Sequence, residues 1–203
     1  MKSLLVDTSG DRLSVSLGIR GERVDSGISV AADSSINENL LKSIDYLLSS
    51  SSTTLDGIES FYVVTGPGSF TGIRIGVSTV LGLAAGLGKV PMGISSLDAY
   101  ALLKGEGSFV VYAKLRGKNC LRKSYDFDNN EFSGYEQVKL EDESEAEHRV
   151  NWNQKSTVNL SEALASPLFE NFLTEYAPLY FRKSEAEINF DKRRSLQGSG
   201  TSL

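Results

Sequence analysis

A strand, a glycine-rich turn and a helix without a charged side follow one another between residues 61 and 88, and this unit limits the folds open to the chain. Phe61-Tyr62-Val63-Val64 is apolar and strand-like, Gly66-Pro67-Gly68-Ser69-Phe70-Thr71-Gly72 supplies the turn, and residues 75–88 contain no charge. Such a turn lets the backbone approach another group closely and aims N–H groups from the helix N-terminus. A helix with no charged face is covered all round. One side can pack on the strand at 61–65; the other needs cover from the rest of the chain or from a partner. Ile73, Val77, Val80, Leu81 and Ala84 make an apolar stripe, and Gly72, Gly76, Thr79, Leu83 and Gly86 make a stripe of mostly small residues. A glycine inside a helix costs ~1 kcal/mol against alanine, so this composition asks for a compensation. Close approach of a second helix supplies one; the alternative is that the chain's own helix over 38–48 gives all the cover.

The flanking sequence reads as an α/β chain. Leu4-Leu5-Val6 is a buried strand ending at the turn cluster Asp7-Thr8-Ser9-Gly10, Leu13 to Leu17 alternates with period two, and Val24 to Val30 can return as a third strand. Ser35 and Glu38 have capping-box spacing ahead of Leu40, Leu41, Ile44, Leu47 and Leu48 at helical intervals. After the uncharged helix, Val90 to Ile94 predicts a strand, Ser96 a cap for a helix over 97–103, and Gly105 to Gly107 a hinge. Strands are expected at 109–114, 120–127 and 132–138, an acidic loop at 141–147, and a helix from Ser161 to Tyr176. A meander followed by helical material thus occurs twice, which suggests a duplicated architecture: a first lobe at 1–104, a shortened second lobe at 105–183, and a polar tail at 184–203.

Composition removes several functions. The chain has 203 residues, 23% of them charged, and a net charge of −5. An acidic balance argues against a main nucleic-acid grip, which needs a basic surface. The single cysteine, Cys120, rules out an internal disulfide framework. Asp7 leaves no room for a signal-peptide apolar region, and the run from Ile75 to Gly88 is shorter than the ~20 residues a bilayer span needs. A soluble, cytoplasmic protein without membrane contact is expected.

The glycine turn is not a Walker loop, because Gly72 is followed by Ile73-Arg74 and not by lysine and a hydroxyl residue. It also lacks the third glycine of the dinucleotide pattern, with Thr71 in that place. If it binds an anion or nucleotide at all, the contacts would come from Asp7, Thr8, Gly66, Gly68, Ser69 and Thr71. Against this stands the plainer reading of Asp7-Thr8-Ser9 as a side-chain-bonded turn. His148, the only histidine, falls in the acidic loop and reads as solvated; no metal-ligand spacing is present. Lys114, Arg116, Lys118, Arg122 and Lys123 form a basic patch on a strand pair, read first as an exposed sheet face.

The motif from Gly66 to Gly76, with Leu5-Val6-Asp7-Thr8-Ser9 before it and Pro91-Met92-Gly93-Ile94-Ser95-Ser96-Leu97 after it, resembles the TsaB (YeaZ) family over residues 3–103. The resemblance implies an actin-like, Hsp70 and sugar-kinase fold of ribonuclease H-like topology, two-lobed with the second lobe shortened. It implies work with the paralogue TsaD and the ATPase TsaE in making N6-threonylcarbamoyladenosine at position 37 of tRNAs that decode ANN codons. In that family TsaD is the transferase and this kind of chain its dimerising partner. The His-x-x-x-His metal pair of TsaD would align with Ser96 and Tyr100. No cofactor is implied for this chain, with ATP and magnesium used by the complex, and tRNA is met only through it. The family dimerises through helices that correspond to 38–48 and 72–87. That makes Leu40, Leu41, Ile44, Gly72, Arg74, Gly76, Thr79, Val80 and Leu83 the expected interface, for TsaD or for a second copy of the chain. Many members carry a histidine where Ile36-Asn37 stands here, which bears on that contact. Charged substitutions such as Gly76→Glu or Val80→Glu would then break association and leave the fold intact. The rival reading is a stand-alone ATP-binding phosphotransferase or a glycoprotease-like metallopeptidase, using Asp7 and the Gly66–Gly72 turn.

Overall fold

The computed structural model describes residues 1–31, 36–115, 117–150 and 159–179. The chain opens as an antiparallel meander of β1 (Lys2–Asp7), β2 (Arg12–Ile19) and β3 (Arg23–Ala31). α1 (Ile36–Ser50) then leads to β4 (Ser60–Val64), which pairs parallel with β1. α2 (Phe70–Gly86) leads to β5 (Met92–Ile94), parallel to β4. A two-residue strand from late in the chain, Thr174–Glu175, closes the edge beyond β5. The order β3-β2-β1-β4-β5, with the first three antiparallel and the last two parallel to β1, is the actin-like, ribonuclease H-like arrangement.

α3 (Ser96–Lys104) carries the chain to a second sheet made of β6 (Ser108–Lys114), β7 (Asn119–Asp126), β8 (Glu131–Phe132), β9 (Glu136–Lys139) and β10 (His148–Val150). Here β6 and β7 are antiparallel, β8 and β9 both pair antiparallel with β7, and β10 lies parallel to β6. This is the first sheet's pattern in reduced form, so the internal repeat lives in the topology. The strand at Thr174–Glu175 is β11.

Alternation along the first sheet sends its side chains to two different cores. Leu4, Val6, Leu13, Val15, Leu17, Phe61 and Val63 pack against the buried faces of α1 and α2. Leu5, Tyr62, Val64 and Ile94 face the other way, onto α3, the inner face of the second sheet and residues 160–173. Asp7, Ser14 and Ser16 share this second side and are buried there.

Four expectations are corrected. Residues 161–176 do not form one helix but two 3-10 turns, Leu160–Ala165 and Phe169–Phe172, followed by β11. Pro167 is the cause: it excludes the helical conformation from the residue before it and offers no N–H to continue the ladder. Ser95, not Ser96, caps α3, and its Oγ accepts from the Asp98 N–H. The strand expected over 132–138 is split into β8 and β9 around residues 133–135. His148 lies in β10, half-buried, with its ring edge-on to Phe109 at 5.0 Å, and not in a solvated loop. The Ser35 half of the capping box, Arg116 and the tail at 184–203 lie outside the described residues.

Candidate functional site

The candidate anion site is a junction between the end of β1 and the start of α2. The Asp7 Oδ1 accepts from the Ser9 N–H at 2.8 Å and from the Ser9 hydroxyl at 2.6 Å, the side-chain-bonded turn that its sequence favours. Burial pushes the Asp7 carboxyl up to about 6, against the pull of the two Ser9 bonds. Thr8 then meets α2 without a gap. Its hydroxyl donates to the Gly72 carbonyl at 2.7 Å. A Cβ on Gly72 would sit 2.0 Å from the Thr8 carbonyl oxygen, and one on Gly76 would sit 2.2 Å from Thr8 Oγ1. Two of the helix glycines therefore admit this turn, not a second helix.

Two N–H groups of the turn are used in the same way. The Ser69 N–H donates to the Ser9 carbonyl at 2.6 Å, and Ser69 Oγ accepts from the Gly72 N–H at 3.2 Å as the α2 cap. On the other side the Ser96 N–H donates to the Gly66 carbonyl and its hydroxyl to the Pro67 carbonyl, both at 2.8 Å. Asp7 and Ser69 are thus engaged by Ser9, Thr8 by Gly72 and Gly66 by Ser96, all within the chain. Gly68 and Thr71 lie exposed at the rim. Among the described residues no group of three or more His, Cys, Asp or Glu side chains is placed to hold a metal ion. Ser96 is committed to Pro67, and Tyr100 stands half-buried with its ring 6.3 Å from that of His148.

The side of the first sheet onto which Asp7 opens is filled by the chain itself. The turn at Leu160–Ala165 lies against β1, β2, β3 and α3. Ser161 Oγ bonds Ser16 Oγ at 2.7 Å, and the Gly21 N–H donates to the Leu164 carbonyl at 2.8 Å. Phe169 packs edge-on against Tyr62 at 5.1 Å, while Arg20 holds the Tyr62 hydroxyl at 2.9 Å and Glu170 at 3.2 Å. Thr174 and Glu175 pair with β5 at the sheet's far edge, so this strap crosses the sheet, and the Leu179 N–H then reaches the Thr65 carbonyl after β4.

The helical face divides differently from its sequence stripes. Leu40, Ile44, Gly72, Gly76 and Val80 are buried in their own lobe. This overturns the expectation that Gly76→Glu or Val80→Glu leaves the fold intact, since both sites are filled by core atoms. Leu41 is 49% exposed, Arg74 is exposed with its guanidinium 4.4 Å above the Phe70 ring, and Thr79 and Leu83 are half-buried. The outer side of α2 presents Ser78, Gly82, Ala85 and Gly86, with open space above both glycines. Beside it, α1 turns Tyr46 outward at 68% exposure. Sequence reading passed over Tyr46; an aromatic off the apolar stripe of an amphipathic helix was the available signal.

The basic patch on the second sheet is largely neutralised. Lys118 pairs with Glu141 at 2.8 Å, Arg122 with Glu136 at 2.8 Å, and Lys123 turns inward to Asp98. Among the described residues no helix is long and apolar enough to cross a membrane.

Comparison with known proteins places these features. Residues 30–112 match the family model "TsaD: tRNA N6-adenosine threonylcarbamoyltransferase". The chain is 37% identical over 98 residues to the tRNA threonylcarbamoyladenosine biosynthesis protein TsaB of Haemophilus influenzae, and 33% identical over 101 residues to that of Escherichia coli. These stretches cover 48% and 50% of this chain and only 41% and 43% of the two relatives. The crystal structure of YeaZ from Pseudomonas aeruginosa superposes over 89% of this chain and 99% of that one, with a TM-score of 0.69 and 20% identity. A second Pseudomonas aeruginosa structure, described as similar to peptidase YeaZ, gives the same TM-score at 21% identity. At that identity the likeness is one of fold.

Proposed function

We propose that this chain, which belongs to the TsaB (YeaZ) family through the 98 to 101 residues matched to its curated relatives, is a non-catalytic subunit in tRNA threonylcarbamoyladenosine biosynthesis. Its partner in this reading is TsaD, with the ATPase TsaE joining the same complex and tRNA met through that complex. ATP and magnesium belong to the assembly and not to a site on this chain.

The observation that carries the reading is the outer face of α1 and α2. Ser78, Gly82, Ala85 and Gly86 give an uncharged strip where a helix can come close, and the neighbouring helix α1 exposes Leu41 and Tyr46. Exposed apolar and aromatic side chains beside such a strip are the composition of an interface core. The contact set is therefore Leu41, Tyr46, Arg74, Thr79, Gly82 and Leu83, with the buried Leu40, Ile44, Gly72, Gly76 and Val80 shaping the face from beneath. The Asp7 junction supports the non-catalytic half of the reading: its turn N–H groups at Ser69 and Gly72 and its carboxyl are engaged within the chain.

Size-exclusion chromatography with the cognate TsaD tests it. The unsubstituted chain is expected to co-elute with TsaD, and Gly82→Glu or Tyr46→Glu to elute alone with an unchanged circular dichroism spectrum. Co-elution of both variants would remove this face from the interface. Tight ATP binding with turnover by the isolated chain would remove the non-catalytic assignment.

A further inference from the structure

A buried carboxylate joins the two lobes. Asp98 stands one turn into α3, fixed by a reciprocal cap: its N–H donates to Ser95 Oγ at 3.0 Å, and the Ser95 hydroxyl donates to Oδ2 at 2.5 Å. The second sheet brings the remaining donors. Lys123 Nζ and the Tyr125 hydroxyl reach Oδ1 at 2.7 and 2.8 Å, and the Tyr135 hydroxyl reaches Oδ2 at 2.6 Å. The Lys123 ammonium is also ringed by Tyr125, Tyr135 and Phe172, at 5.3, 4.9 and 5.2 Å from the ring centroids. The side chains of Lys123 and Asp98 are 12% and 2% exposed.

The members of the cluster come from separate places in the chain: Asp98 on α3 in the first lobe, Lys123 and Tyr125 on β7 and Tyr135 in the β8–β9 connection in the second, and the Phe172 ring from the strap at 169–172. Apolar packing between two lobes tolerates small slips, because dispersion and burial are not directional. A buried carboxylate with both oxygens engaged does not, since a shift of one ångström leaves a charge or a hydroxyl without a partner in low dielectric.

We infer that the Asp98–Lys123 cluster is a latch that holds the second lobe on α3 in a single orientation, so that the two lobes move as one body. The inference stands apart from the partner assignment, because it concerns the isolated chain.

Spin labels at Ser49→Cys on α1 and Gln137→Cys on β9, both exposed, report the orientation by electron–electron distance measurement; Cys120 is buried and stays unlabelled. The chain with its latch intact is expected to give one narrow distance distribution, and Asp98→Asn to lose it to a broad or split one. Hydrogen exchange should speed roughly tenfold in β6 and β7 while β1 and β4 keep their protection. If Asp98→Asn does not fold, Tyr135→Phe removes one donor, keeps the ring, and is read in the same two ways. A narrow distribution in a folded variant overturns the latch. So does a broad one in the unsubstituted chain, or faster exchange spread evenly over both sheets.

Discussion

Asp7 and Asp98 are both buried aspartates, 4% and 1% exposed, and each lies beside the start of a helix. Their surroundings differ. The bonds given to Asp7 come from Ser9, two residues on in the chain, and the charge that acts on it is Asp11, of its own sign. Asp98 is met by a lysine, two tyrosines and a serine, three of them 25 to 37 residues away. A local turn can satisfy the geometry of a carboxyl but cannot supply a counter-charge, so burial drives Asp7 toward its protonated form. A long-range set can supply both, and in doing so it ties together the elements that contribute to it. The first aspartate shapes a turn; the second joins lobes. Burial, and then the charge on Asp98, push the pKa of Tyr125 and Tyr135 up, which keeps their hydroxyls protonated and donating.

Removing Asp98 is expected to have the largest effect. Asp98→Ala leaves the Lys123 ammonium and two tyrosine hydroxyls buried without their acceptor, a loss of about 3–5 kcal/mol by analogy with other broken buried pairs. Urea unfolding followed by circular dichroism measures it. A loss under about 1 kcal/mol, the scale of an exposed pair, would mean that water reaches the cluster and that the contrast with Asp7 is false.

The junction at Asp7 breaks by sterics before it breaks by charge. Gly72→Ala puts a Cβ 2.0 Å from the Thr8 carbonyl oxygen, a backbone atom that cannot move without moving β1. Overpacking of this kind costs about 3 kcal/mol, read as a lower urea midpoint. An unchanged midpoint would show that the turn after β1 is free to yield.

Asp7→Asn works in the opposite direction. The folded carboxyl titrates at about 6 against 3.8 for the free group, so the folded chain binds more protons between those values. Stability therefore falls as pH rises through that window, and the ionised Asp7 weighs against the fold above it. Asparagine stays neutral, and its Oδ1 can accept both Ser9 bonds. The variant should be more stable by about 2 kcal/mol at pH 7.5, with the difference gone by about pH 4. Thermal unfolding of both proteins across that range checks the sign; a variant less stable at pH 7.5 would mean that the charge on Asp7 has a partner.

The contrast between the two aspartates also marks how far the sequence could be read. The meander, α1, β4 and α2 follow from period-two and helical spacing, and the structure keeps them within a few residues; the fold itself is implied only by the family resemblance. Asp7, Thr8 and the glycine turn were visible because they are adjacent in sequence and use local chemistry. Asp98 was not visible, although Ser95 and Asp98 have capping-box spacing, because its other partners lie on strands of the second lobe. Periodicity says nothing about which strand faces which helix. The segment 161–176 fits a helix by its apolar residues, and Pro167 decides against one. The small-residue stripe on α2 is not a single unit, since Gly72 and Gly76 answer to Thr8 while Gly86, like Gly82 outside the stripe, looks outward. One pattern therefore served two physical ends.

Gly82 separates those two ends with the smallest change. A Cβ there meets nothing within 4 Å, so Gly82→Ala encounters none of the resistance expected at Gly72. What remains is the backbone entropy of glycine in a helix, and its removal should stabilise the chain by up to about 1 kcal/mol, visible as a small rise in melting temperature. The same substitution at two places on one helix thus has opposite signs, because only one of them has a neighbour. A loss at Gly82 would mean that this strip is already covered by the chain's own atoms, and the uncharged face of α2 would then have no need of a partner.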